Sequence, residues 1–232
     1  MKKVICMICA FLIGVGIFSS AFADDKTITF RGFDWYTTKQ DVENQLSSEG
    51  ASSGGWFGNS NDIYRLSGTD YANVTMGSDR VDGGGIRAWY ANISVAGYNP
   101  SNTYACYVYA IQDGKIVYDE NLAELYFGWY TFESDEFADF DGIFDDLNTK
   151  LTNLYGKGKK KATKYNTYIT WTDKKKNMIR LYINDDKDYV TLGYIAGDAE
   201  KRLDAISKAL IKEAKEKEKI EREKNKENNS GL

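Results

Sequence analysis

Histidine is missing altogether from this chain of 232 residues, and proline occurs once. Without histidine there is no Ser-His-Asp or Cys-His proton relay, and zinc sites built on imidazole are excluded. Cysteine is nearly as scarce. Cys6 and Cys9 lie in the apolar stretch at the start, which leaves Cys106 alone in the body of the chain. A single cysteine makes neither an internal disulfide nor a thiolate cage for a metal. Cys106 sits in the β-like run TYACYVYAI, where the simplest reading is a small buried hydrophobe. An enzyme of this composition would have to work with carboxylates, Lys or Tyr, and no spacing in the chain implies a cofactor. GKGKKKATK lacks the Gly-x4-Gly-Lys-Ser/Thr pattern of a phosphate loop and follows a helix instead of preceding one, so it reads as a flexible basic turn.

What is present begins with MKKVICMICAFLIGVGIFSSAFA. Two lysines, an uncharged apolar run and Ala21-Phe22-Ala23 form the three parts of a secretory signal, with cleavage expected before Asp24. Retention as an anchor is the alternative, because about 20 uncharged residues from Val4 to Ala23 are long enough to span a bilayer. Export to the periplasm, cell surface or exterior is therefore expected, and a membrane contact only if the signal is uncleaved. About 209 residues remain, enough for one domain or two small ones.

Charge is unevenly placed. From Ile116 to Thr149 there are ten acidic residues and no basic one, whereas Lys150 to Arg180 holds ten basic residues and only Asp173 acidic. Acids at the start of a helix and lysines just past its end suit the macrodipole. The formal charge of −4 argues against a nucleic-acid partner for the lysine cluster.

TITFRGF reads as a short strand, and Thr37 or Thr38 then caps a helix from about Lys39 that buries Val42 and Leu46. SSEGASSGGWFGNSND is loop by composition. DIYRLSG and YANVTMG read as a hairpin, followed by strands in IRAWYANISVAG, TYACYVYAIQDG and ENLAELYFGWYTFE. Phe137, Phe140, Phe144, Leu147, Leu151 and Leu154 recur at three and four residues, giving a helix from about Asp135 to Tyr155 that Gly156 ends. KYNTYITWTD, NMIRLYIND and DYVTLGYIAG supply three more strands. From Asp198 onward, Leu203, Ile206 and Leu210 form a modest apolar face, after which the chain becomes a charged, solvated helix that frays.

The expected fold is α+β: two helix-plus-antiparallel-sheet units with a charged C-terminal helix. The units span 24–133 and 134–197, after a signal at 1–23 and before a helical or disordered tail at 198–232. The order reads as a duplicated unit, without strong identity between the halves.

Three groups of residues invite functional readings. SDEFADFDGIFDD fails the spacing of a calcium loop, since Gly142 falls fourth from Asp139 and no glutamate falls twelfth; the helix stripe explains its residues instead. Glu120, Glu124 and Glu133 flank LYFGWYTF, a combination also found where carboxylates cut sugars. Trp56 and Phe57, in a Gly/Ser/Asn loop, form either a plug under the sheet or an exposed partner anchor. In TYACYVYAI, Tyr107 and Tyr109 fall on the more aromatic side, expected to be a Tyr-rich surface opposite a helix-covered one. Trp56, Phe57, Tyr107 and Tyr109 are thus the candidate partner contacts.

FRGFDWYTTKQDV resembles a pattern in exported bacterial proteins, FRG-x-x-WG-[ST]-x-x-E-V. Phe30, Arg31, Gly32, Trp35, Thr37, Thr38 and Val42 fit, Tyr36 stands where the pattern has glycine, and Asp41 replaces the glutamate. Arg31 is read as a salt-bridging residue. The later part, a long helix ending in LTNLYGKG and followed by Tyr-x-x-Tyr-x-x-Trp and IRLYI strands, is similar to the same group. The layout also resembles the helix-and-sheet repeats of β-lactamase-inhibitor-like proteins and of SmpA/OmlA-type outer-membrane assembly lipoproteins. The resemblance implies an architecture and a non-catalytic, protein-facing role, and supplies no active-site residues. The expected function is an exported interaction or envelope-associated module that meets another envelope or extracellular protein. The alternative is a secreted carbohydrate-binding or carboxylate-dependent carbohydrate-active protein.

Overall fold

A computed structural model describes residues 26–53, 63–64, 80–81, 84–133 and 137–229. Three helices accompany twelve strands among them: α1 (Lys39–Ser48), β1 (Ser52–Ser53), β2 (Ile63–Tyr64), β3 (Arg80–Val81), β4 (Gly85–Ala91), β5 (Asn102–Val108), β6 (Ala110–Gln112), β7 (Lys115–Val117), β8 (Glu124–Glu133), α2 (Phe140–Tyr155), β9 (Lys159–Ala162), β10 (Asn166–Thr172), β11 (Met178–Asn184), β12 (Tyr189–Ile195) and α3 (Ala199–Asn229). The fold is α+β and mostly sheet. Eight strands form one antiparallel sheet in the order β1-β4-β5-β8-β12-β11-β10-β9, with β2-β3 and β6-β7 as separate ribbons. The large sheet takes four strands from after α1 (β1, β4, β5 and β8) and four from after α2 (β9 to β12), and the last of each set, β8 and β12, meet in its middle. Among the described residues no helix is long and apolar enough to cross a membrane.

The stretch FRGF does not become a strand. Arg31 (φ 54°) and Gly32 (φ 85°) are both left-handed, and the Phe33 N–H donates to the Phe30 carbonyl at 3.0 Å, closing a two-residue turn. Thr38 caps α1 as its sequence predicts, accepting from the Asp41 N–H at 3.2 Å and donating to the Asp41 carboxylate at 2.7 Å. Helix α2 starts later than its periodicity predicts, because Asp139 accepts from the Gly142 N–H at 2.8 Å and fixes the first turn there. A Cβ on Gly142 would run into that carboxylate. Phe137, ahead of the helix, packs edge-on against Phe132 and Phe140. Gly156 ends α2 at φ 76°.

The lysine run read as a turn is β9, an edge strand whose four residues are all exposed and which pairs with β10 alone. Lysine on an edge blocks further pairing, so the fourth strand of the second set hides behind a loop-like composition. Strand β2 pairs with β3 at Arg80–Val81; the YANVTMG segment lies outside the described residues.

Alternation divides the large sheet into two faces. On one, Ile86, Ala88, Tyr90, Ala105, Tyr107, Tyr130, Phe132, Val190, Leu192, Ile179, Leu181, Ile169 and Trp171 are buried. Both α1 and α2 lie here: Glu43 of α1 reaches the Tyr90 hydroxyl, and the Trp171 indole donates to the Gly156 carbonyl beside the end of α2 at 2.9 Å. Phe30 fills the gap between the helices. Its ring lies against Tyr130 and Tyr194 and presses on Gly128, where a Cβ would come within 2.6 Å.

Arg31, read as a salt-bridging residue, is one. It binds Glu49 at 2.7 Å and the Ser94 carbonyl at 3.0 Å, and sits beside the buried Tyr130 hydroxyl. Tyr36 is left-handed at φ 70°, which gives the glycine of the resembled pattern a physical reason. Its ring lies under the Arg202 guanidinium at 4.1 Å and its hydroxyl donates to Asp198, while Arg202 also pairs with Glu124. The turn thus fastens the first residues of α3 to the sheet. Leu203, Ile206 and Ala209 bury the next turns, and Glu213 accepts from the Ile116 N–H and the Tyr118 hydroxyl. From Ala214 on, every described side chain of α3 is exposed.

Candidate functional site

The expected contact residues divide sharply. Tyr107 is 0% exposed and shares a 2.8 Å hydrogen bond with Tyr90 on the helix-covered face. Burial, together with its Tyr90 and Glu43 neighbours, pushes its pKa far up. Tyr109 is 3% exposed and packs edge-on against Tyr118 at 5.4 Å. Neither offers surface to a partner. The aromatic side of TYACYVYAI is the inner one, because α1 covers β4 and β5 there. Trp56 and Phe57 lie outside the described residues.

On the opposite face Phe127, Trp129 and Tyr168 are 1%, 4% and 7% exposed, while other aromatic side chains stay partly exposed. Trp89 on β4, Tyr104 on β5, Trp129 on β8, Gly193 on β12 and Arg180 on β11 form one row across the sheet by strand register. The adjacent row runs through Thr131, Thr191, Tyr182 and Tyr168. Trp89, Tyr104, Tyr182, Tyr189 and Met178 are half-buried here. Only Tyr104 of TYACYVYAI belongs to this set, and the sequence carried no signal separating it from Tyr107 beyond parity.

These rings hold one another. Tyr104 stacks on Trp129 at 4.6 Å, and Trp129 on Phe127 at 4.9 Å. The Arg87 guanidinium lies 5.6 Å from the Tyr104 ring centre, and Arg180 lies 4.9 Å from that of Tyr168. Tyr182 and Tyr189 meet edge to face at 6.2 Å. Such contacts fix large side chains before any partner arrives, so little rotamer entropy remains to be lost on binding. The Trp89 indole nitrogen and the Thr131 hydroxyl are buried and have no hydrogen-bond partner among the described residues. By contrast, Trp35 donates to the Ile28 carbonyl at 2.8 Å and Trp171 to Gly156, so those two tryptophans serve the fold.

Several of the carboxylates considered for chemistry are engaged elsewhere. Glu124 binds Arg202, Glu133 lies within reach of Asn102 at 3.4 Å, and Asp139 caps α2. Asp141 pairs with Lys187 and Asp146 with Lys150, both at 2.6 Å. The Lys150 bond holds the Asp146 carboxyl below its usual range. Burial drives the Cys106 thiol up to about 12, far from a reactive thiolate. Among the described residues no group of three or more Cys, Asp and Glu is placed to hold a metal. No family model matches the chain, and neither the curated proteins nor the solved structures contain a match.

Proposed function

We propose that this chain is an exported, non-catalytic interaction module whose partner is another protein of the envelope or the extracellular space. The observation that carries the reading is the ordered aromatic row on the sheet face away from α1 and α2. Tyr104 has Trp129 against its ring and Arg87 within cation–π range, and Trp89, Tyr104, Tyr182 and Tyr189 stay partly exposed on that face. A sugar is gripped chiefly through an open, flat ring face, whereas rings already stacked on one another, with a thioether and phenol groups beside them, suit the uneven surface of a protein. The acid pairs and caps described above support a role outside catalysis. Export rests on the amino-terminal signal.

The reading is tested by capture from the protein's own envelope fraction, comparing wild type with Trp89→Ala/Tyr104→Ala. One specific partner, retained by wild type and lost by the double variant at unchanged helicity, is the expected result. Specific glycan binding with no protein retained would replace this proposal with the carbohydrate reading.

A further inference from the structure

Helix α3 segregates its charges although they nearly cancel. Lys201, Lys208, Lys212, Lys215, Lys219, Arg222 and Lys226 recur at intervals of three, four or seven, which keeps them on one side of a helix turning every 3.6 residues. All seven are exposed, and their side is opposite the packed stripe of Ala199, Leu203 and Ile206. Lys208, Lys212, Lys215 and Lys219 line one open recess with Glu216 and with Ile211, which is 56% exposed. The stripe runs about 37 Å at 1.5 Å per residue. Asp204, three residues after Lys201 and four before Lys208, falls on the same side, and the flanking Glu223 and Glu218 lie 3.9 Å from Lys219 and 3.5 Å from Arg222. Exposed pairs of this kind exchange partners at little cost.

We propose that this stripe docks α3 along an anionic phospholipid surface, with Ile211 entering the headgroup layer. Charge complementarity selects the occupant, because the chain as a whole carries −4 and would be repelled without a segregated basic side. The Ile28 N–H binds the Asp173 carboxylate at 2.8 Å, and the same turn carries Lys175 and Lys176 against Gly197, two residues ahead of α3. Lys26, 5.8 Å from the Tyr155 ring, precedes Ile28 and follows the membrane-length apolar run closely. Ile28 therefore lies at the end of the sheet where α3 begins. This surface is separate from the aromatic sheet face and does not depend on its partner.

The experiment is co-sedimentation of residues 24–232, which include every residue whose packing is described above, with phosphatidylglycerol or phosphatidylcholine vesicles. Binding to the anionic vesicles at low salt, release in 0.5 M chloride and no retention on the neutral vesicles are expected. Lys212→Glu/Lys215→Glu should weaken binding about tenfold or more. Lys217→Glu/Lys224→Glu makes the same change in net charge on another side of α3 and should leave binding within about twofold. Circular dichroism of both variants guards against helix loss. Equal losses from the two pairs, no preference for the anionic lipid, or binding to soluble heparin without binding to vesicles would overturn the proposal.

Discussion

The two faces of the large sheet are built from the same kinds of residue, but α1 and α2 lie on only one of them. On the side of α1 and α2, tyrosines are sealed in. Tyr90 and Tyr107 bond to each other, and Tyr130 faces Arg31. On the other side Tyr104, Tyr182 and Tyr189 stay half-buried in contact with tryptophan, arginine and one another. Aromatic content therefore does not mark a surface. What decides is which parity of each strand the helices cover, and that depends on contacts far apart in the chain.

Alkaline titration should separate the faces most strongly. Burial raises the Tyr130 pKa to about 12, and raises Tyr90 and Tyr107 further. These groups keep their protons in the folded state at a pH where the unfolded chain has lost them, so they favour folding fully below about pH 10 and progressively less above it. Unfolding between about pH 10 and 12, with stability nearly level from about pH 6 to 9 because no histidine titrates, is the expected profile. A main transition centred near neutral pH would contradict it.

Phe30→Ala removes the fully buried ring between the helices and should cost about 3–5 kcal/mol in denaturant unfolding. Gly128→Ala approaches the same ring from beneath and should cost about 1–3 kcal/mol, with part recovered in Gly128→Ala/Phe30→Leu. Additive losses in that pair would mean the ring and the glycine do not share their space. Tyr36→Gly relieves a left-handed side chain while removing the Arg202 and Asp198 contacts, so net stability should move by only about 1 kcal/mol. Amide exchange in the first turns of α3 should nonetheless quicken, and Tyr36→Phe should do less. A loss under about 1 kcal/mol is expected for Trp89→Ala on the face away from α1 and α2. A loss as large as that of Phe30→Ala would show that this face is core and not contact surface.

Much of this was legible locally. The stripe of α2, the Thr38 cap, the Gly156 stop and the apolar start of α3 each follow from a few neighbouring residues. The paired helix-and-sheet units followed from their order. Strand β9 was not legible, because lysines that protect an edge read as a turn. The burial of Tyr107 and Tyr109 was hidden for a different reason: parity divides a strand into two sides without saying which side a helix from another part of the chain will cover. The role of Tyr36 needed both Arg202 and Asp198, more than 160 positions away.

The pairing of β8 with β12 has a further consequence. The middle of the sheet is completed by the last strand to emerge during synthesis, so the first four-stranded set must wait with its most apolar margin uncovered. A nascent or truncated product ending before Tyr189 would present that margin as an adhesive edge, prone to join another copy of itself. Holding such a chain apart until residue 195 arrives becomes a requirement of its biogenesis.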